Sequence, residues 1–413
     1  MTDPDALYRA ILAAPDDDTL RLVYADAVEE AGDPRRAAFI RTQVQLAHVP
    51  DWDPAWVRVR HHERDLMPGA WARDLPALPD GLDWARDPFR RGLPAHVEVE
   101  DAGTFLTHAD DLFEQYPVEA LVLRNSQLST ARQFAASPWV GRLVRLAITQ
   151  GMGAPTARWL LGATHYERLR ELHIGAVLTT TETATAVVRS RMFRQLTTLS
   201  CRDDRAGGQT LVNELTRLAD PPQLKVLDLS GNRLDPERMA RLVAAPALAA
   251  VEELDLSDNN LRAESLQALA AARLPHLKSL HLLRTHPEGQ GVAAVARAGF
   301  LPQLRSLSLG GCYLNPPSAV ALVRTAAVAN LRVLDLRENA LGDRGATTLA
   351  NSPHLKNLVH LDLASNLIED AGANALAESP YLDGLIHLDL HGNLPTPAAA
   401  ARLRKRFGDR VFL

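Results

Sequence analysis

One pattern returns eleven times along this chain, and it limits the fold more than anything else in the sequence. Its copies begin at residues 118, 143, 169, 196, 224, 251, 277, 304, 331, 358 and 385, spaced 25 to 28 residues apart. The clearest run Leu224-Lys-Val-Leu-Asp-Leu-Ser-Gly-Asn232 and Leu331-Arg-Val-Leu-Asp-Leu-Arg-Glu-Asn339. Leu358 to Asn366 and Leu385 to Asn393 repeat the same spelling. Inside each copy Leu-x-Leu alternates with period two, which predicts a short strand with its leucines on one face. The remainder predicts a helix. Residues 343–350 and 370–377 are rich in Ala, begin near an Asp, and are stopped by Ser352-Pro353 and Ser379-Pro380. A unit this small cannot bury both faces alone, so the copies must stack and share one core. Stacking places the strands in a parallel inner sheet with the helices outside. Because helices are wider than strands, the stack is expected to curve. Eleven strands at ~4.8 Å spacing give an inner face on the order of 50 Å long.

The ninth position has a structural role of its own. An Asn amide there can satisfy backbone groups in the turn after the strand. Asn232, Asn259, Asn339, Asn366 and Asn393 fill it, and Cys312 replaces it in the eighth copy. Ser126, Gly151, Val177, Asp204 and Thr285 depart from it, so the early copies are the less regular ones. Written as LxxLxLxxNxL, the pattern resembles the leucine-rich repeat. Its period, with a helix in each copy, resembles the ribonuclease-inhibitor class. The resemblance covers about residues 118–395. It implies a horseshoe-shaped α/β solenoid that binds other proteins, often through its concave face.

The ends differ from the middle. Residues 1–117 carry a net charge of −11 and residues 118–413 carry +6. All six tryptophans fall in the first 160 residues. Three helices are expected before residue 48. The first spans 4–14. The second starts at an N-capping Asp18 and stops at Gly32, and the third starts at Asp33-Pro34. The second offers Leu20, Val23, Tyr24, Ala27 and Val28 as an apolar face, and the third offers Phe39, Ile40 and Val44. A short helix is expected at 54–66, a strand at 93–99 and a helix at 104–116. At the C-terminus, a basic helix at 397–407 and a closing strand at 411–413 should cap the stack. The run from Leu20 to Asp26, with Glu29-Glu30-Ala-Gly-Asp-Pro34-Arg35 and Ala38-Phe39-Ile40-Arg41, resembles the bacterial repeat-companion domain. Phe89-Arg-Arg-Gly92 and the closing Arg406 to Val411 are similar to that family too. Ala27-Val28 stands where the family has Trp-Leu. The resemblance implies a bacterial, intracellular protein and no particular activity.

The expected architecture is therefore an α/β leucine-rich-repeat solenoid with a small all-α N-terminal domain. Residues 1–50 form the helical domain, 51–117 a linker and N-terminal cap, 118–395 the repeats and 396–413 the C-terminal cap. No run of 18 apolar residues is present, the N-terminus lacks the apolar stretch of a signal peptide, and the cytoplasm is the expected compartment. Two cysteines, Cys201 and Cys312, exclude a disulfide scaffold and a four-cysteine zinc site.

No phosphate loop, nucleophile elbow, HExxH or CxxC motif occurs, so no catalytic residue, cofactor or metal is assigned. The informative surface is the concave face, where repeat positions 3, 5 and 7 point outward. Position 5 supplies His173, Asp228, Asp255, His281, Asp335, Asp362 and Asp389. Position 3 adds Arg145, Glu253, His360 and His387, and position 7 adds Arg124, Arg202, Arg337 and His391. Adjacent carboxylates should raise at least one pKa and attract cations. The face is expected to be basic in its early copies and acidic in its late ones. It could dock a basic segment of a partner protein; equally, Leu-Asp-Leu could be a common repeat spelling that keeps edges soluble. The expected function is non-enzymatic recognition of a partner protein by a monomer, without membrane or nucleic acid. An alternative is a dedicated inhibitor or regulatory subunit of an enzyme or defence-signalling protein. Another is a metal-dependent hydrolase using Asp362, Asp389, His360, His387 and His391. The charge split also suggests that the acidic N-terminal domain folds back on the basic repeats as a lid.

Overall fold

The computed structural model describes residues 3–50, 53–67, 75–125, 127–150, 153–175, 180–203, 207–218 and 220–413. The chain divides into two compact units, residues 1–196 and 197–413. Ser126, Gly151, Val177 and Asp204, expected to break the asparagine series, lie outside the described residues.

The first unit opens with helices α1 (Pro4–Ala13), α2 (Asp18–Glu30), α3 (Pro34–Leu46) and α4 (Pro54–Leu66). Each is started by an aspartate that accepts free N–H groups of the first turn: Asp3, Asp17, Asp33 and Asp53. The cap of α2 is thus Asp17 rather than the expected Asp18. From one residue earlier its carboxylate reaches the amides of both Thr19 and Leu20. Ile11, Tyr24, Ala25, Val28, Ala37, Ile40, Val44 and Leu93 form one apolar cluster. Val23 is exposed, contrary to the expected face. The buried stripe of α2 runs instead through Arg21, Tyr24, Ala25 and Val28, a helical spacing with a guanidinium in it.

Strands β1 (Leu82–Trp84), β2 (Phe89–Arg90), β3 (Leu93–Pro94) and β4 (His96–Asp101) follow, then helix α5 (Ala102–Gln115). The single strand expected at 93–99 is two. β3 pairs antiparallel with β2, and after Ala95 β4 joins the parallel sheet, with β1 antiparallel on its other side. Gly92 sits between them at φ 85°, and its N–H donates to Gln43 Oε1 at 2.7 Å. A Cβ there would fall 2.4 Å from the Ile40 Cα, so only glycine lets this loop lie against α3. β5 (Ala120–Asn125), β6 (Arg145–Ile148) and β7 (Glu171–Ile174) continue the parallel sheet, with Leu121, Leu146 and Leu172 in register and buried.

The second unit repeats one motif more strictly. Strands β8 (Thr198–Ser200), β9 (Val226–Asp228), β10 (Glu253–Asp255), β11 (Ser279–His281) and β12 (Ser306–Ser308) pair in parallel. β13 (Val333–Asp335), β14 (His360–Asp362), β15 (His387–Asp389) and the closing β16 (Val411–Phe412) extend the row. The central leucines, from Leu227 through Leu254 and Leu280 to Leu388, lie side by side in the core. A helix follows most strands, among them Gly342–Ala350, Asp370–Glu378 and the C-terminal Pro397–Phe407.

The asparagine series does what its chemistry allows. Asn339 Oδ1 accepts the backbone N–H groups of Cys312 and Leu314 at 3.0 and 2.8 Å, and its Nδ2 donates to Leu309 O at 3.0 Å. Asn259 and Asn393 make the same set to the copies before them. Each amide stitches two neighbouring turns and leaves no backbone donor orphaned there. Where the slot is Cys312, the thiol reaches Leu282 O at 2.9 Å, and burial pushes its pKa up. Cys201 is buried on the inward strand row.

Candidate functional site

Alternation within each strand buries the leucine and turns positions 3 and 5 to the open face of the sheet. In the second unit Asp335, Asp362 and Asp389 are in register on adjacent strands, as are Asp228 and Asp255. Each of these carboxylates also has a local task that the sequence reading missed. Its Oδ1 accepts the N–H two residues on, at 2.9 to 3.1 Å, and so turns the chain out of the strand. The Leu-Asp-Leu spelling alone could have signalled this, since Asp bonds its own backbone readily.

The groove-side neighbours of these carboxylates differ. Asp228 accepts from Ser200 Oγ and pairs with Arg202 at 2.6 Å; Arg202 also approaches Asp255 at 3.7 Å. Asp335 accepts from Ser308 Oγ at 2.8 Å. Glu253 lies 3.7 Å from His281, whose ring also meets Ser279 Oγ. Asp389 holds the Nδ1 of His391 at 2.8 Å. Asp362 is the most enclosed, and its nearest cation is Arg337 at 3.9 Å, shared with Asp335. Burial pushes the Asp362 carboxyl up to about 6, and the charges of Asp335 and Asp389 add to the shift. The expectation that crowding would raise one pKa holds at this residue, with desolvation as the larger cause.

His391 sits on Asp389, whereas His360 and His387 face each other. The rings of His360 and His387 lie 4.2 Å apart, and His387 rests 4.6 Å from the Phe412 ring. Among the described residues no group of three or more His, Cys, Asp or Glu side chains is placed to hold a metal ion. Of the five residues of the hydrolase alternative, His360 and His387 face each other with tilted rings, His391 sits against Asp389, and Asp362 faces Arg337.

In the first unit, the early copies were expected to be basic. The structure sets a carboxylate against each of these cations, from residues the sequence reading left out. Arg124 pairs with Glu98 at 2.8 Å and Asp83 at 3.0 Å. His173 lies 3.9 Å from Glu171. Burial would raise the Glu171 carboxyl, but His173, Arg90 and Arg145 outweigh it and hold it down at about 2. Burial pulls the Arg145 guanidinium down, against the attraction of Glu171.

A second charged cluster lies inside this unit. Arg21 and Glu119 are both 0% exposed and 3.9 Å apart. Arg21 donates to Pro15 O at 2.7 Å, while Glu119 also meets Arg90 at 3.5 Å and Arg168 at 3.3 Å. Arg168 reaches Asp16 as well, and Arg91 reaches Asp18 at 3.4 Å. The acidic α1–α2 segment therefore meets basic residues of the same unit, with Arg21 and Glu119 buried at the centre. Arg41 pairs with Asp26 and Glu29 at 2.6 Å each, which ties together the motif residues of α2 and α3.

Among the described residues no helix is long and apolar enough to cross a membrane. A family profile described as leucine-rich repeat matches residues 251–270, 329–350 and 354–377. No curated protein matches the chain. Among solved structures, an internalin from Listeria monocytogenes is similar at 16% identity over 72% of this chain and 80% of that one, with a TM-score of 0.44. The yeast Rad7 and Elc1 complex contains another, at 15% identity over 72% and 84%, with a TM-score of 0.43. The strand and helix of each copy, the asparagine-stitched turns and the matched segments together make this chain a leucine-rich-repeat protein.

Proposed function

We propose that this protein is a non-enzymatic recognition scaffold, and that the open face of its second unit binds a basic segment of a partner protein. The observation that supports this is Asp362. It is a largely enclosed carboxylate flanked by Asp335 and Asp389, with its one cation shared and 3.9 Å away. Its desolvation is poorly compensated in the free protein, and an arriving lysine or arginine would supply what is missing. Asp228, paired with Arg202 at 2.6 Å, Asp255 near the same guanidinium, and the His281–Glu253 pair form the other end of the same face. Val226, Leu283 and Val333, each half-buried on this face, would add apolar contact.

The test compares wild type with Asp335→Asn/Asp362→Asn/Asp389→Asn in affinity capture from lysate of the native host. Asparagine keeps the oxygen that turns each strand end and removes only the charge. A protein retained by wild type and lost by the variant would support the reading. The same set captured by both would sink it.

A further inference from the structure

The residue after the ladder asparagine, tenth in the repeat, is not needed by the core. In the later copies it is His286, Tyr313, Ala340, Leu367 and Leu394, all on the outside of the turn. Tyr313 is 77% exposed, Leu367 61% and Leu394 64%. Tyr313 at φ 56° and Leu367 at φ 59° also hold left-handed backbone, where glycine or asparagine fits with least strain. Exposure and backbone both argue against a large apolar side chain at these places, yet the chain carries one at each. The fold alone accounts for neither.

These residues are continuous along one edge. Ala340 N–H donates to Leu314 O at 2.9 Å, Gly342 N–H to Asn366 O at 2.9 Å, and Leu394 N–H to Ile368 O at 2.8 Å. The His286 ring stacks on Tyr313 at 5.3 Å and extends the row. Successive members are one strand spacing apart, about 5 Å. An α-helix advances 5.4 Å per turn, so a helix lying across the repeats offers one side chain per copy, at i, i+3 or i+4, i+7 and i+11. An extended strand places same-face residues about 6.8 Å apart and falls out of step within two copies. The border of the row is acidic beside its later members, whereas Arg284 lies exposed two residues from His286 and attracts Glu338. Glu338 and Glu369 are exposed two residues from Ala340 and Leu367. Asp343 accepts from Glu369 N–H at 2.8 Å, and Asp370 from Thr396 N–H at 2.6 Å.

We propose that this edge is a docking ladder for a basic amphipathic α-helix of a partner protein. Apolar side chains of that helix would seat on Tyr313, Ala340, Leu367 and Leu394, and its lysines or arginines would face Glu338 and Glu369. This surface is separate from the open face of the sheet, and the proposal stands whether or not that face binds anything.

The probe is a fluorescein-labelled sixteen-residue helical peptide with leucine at the four anchor spacings and lysine elsewhere, read by fluorescence anisotropy on the full chain. Tyr313→Asn/Leu367→Asn/Leu394→Ser should weaken binding at least about tenfold, and Glu338→Gln/Glu369→Gln about threefold. Both losses should persist when they are measured in the background Asp335→Asn/Asp362→Asn/Asp389→Asn, which removes any lysine binding at the open face. The ladder variant should melt no lower than wild type, because asparagine suits the left-handed turns. Equal binding of a scrambled peptide of the same composition would overturn the proposal. So would losses that vanish in that open-face background, a lowered melting temperature in the ladder variant, or binding to phosphatidylcholine vesicles in place of the peptide.

Discussion

The two units hold their repeats together by different chemistry. The second does so with neutral amides. Asn259, Asn339 and Asn393 each stitch the turns of adjacent copies, and the side chains that leave the core are aspartates bonded to their own backbone. The first, whose expected amide slots at Ser126 and Gly151 carry no asparagine, places charge at its centre. Arg21 and Glu119 are sealed from water, and Arg90 and Arg168 converge on the same carboxylate. A neutral ladder is local and repeats with the sequence. A buried ion cluster is specific, since each member is costly without the others, and here it joins a helix near residue 20 to a strand start near residue 119.

Breaking the cluster should have the largest effect. Glu119→Ala leaves Arg21 buried without its counter-charge and should cost about 3–5 kcal/mol by chemical denaturation. Arg21→Met with Glu119→Leu should recover most of that loss. If the double variant is as unstable as the single, the anchor is held by shape and not by charge. Asn339→Ala strands the amides of Cys312 and Leu314 and should cost about 2–3 kcal/mol. A loss below about 0.5 kcal/mol would mean that the ladder is replaceable and that the leucines alone hold the second unit.

The smallest effect concerns Asp362. Its carboxyl is pushed up to about 6 in the folded protein, above the ordinary aspartate value of 3.8. Folding therefore favours its neutral form, and stability falls as pH rises from 4 through 6. Asp362→Asn should stabilise the protein at pH 7 by roughly 1 kcal/mol once solvent screening is allowed for, and by less at pH 4. An advantage that is constant across this range would show that the carboxylate already has its counter-charge.

Much of this was legible before any coordinates. The strand leucines, the helix stops at Ser352-Pro353 and Ser379-Pro380 and the amide slots follow from local spacing. So does the helix-starting Asp33, while the cap of α2 is one residue earlier than expected and the caps Asp3 and Asp53 were not foreseen. The list of outward residues was legible too, because alternation fixes the side of the sheet. Their partners were not. Glu98 and Asp83 meet Arg124 from strands that lie before the first copy of the repeat, and Glu171 meets His173 from two residues away on the same strand. Val23 read as core and the buried Arg21 was not singled out, because helical phase is ambiguous when both faces carry apolar residues.

By itself, then, the sequence determined the repeat, its strand–helix unit, the parallel stacking and the outward positions, all set by periods of two residues and about twenty-seven. Only the tertiary structure decided which charges cancel, that Asp362 is the poorly compensated one, and that Tyr313, Leu367 and Leu394 share one exposed edge. Most of those outcomes depend on distances between residues in different copies of the repeat, and Coulomb energy and burial act through distance rather than through order along the chain.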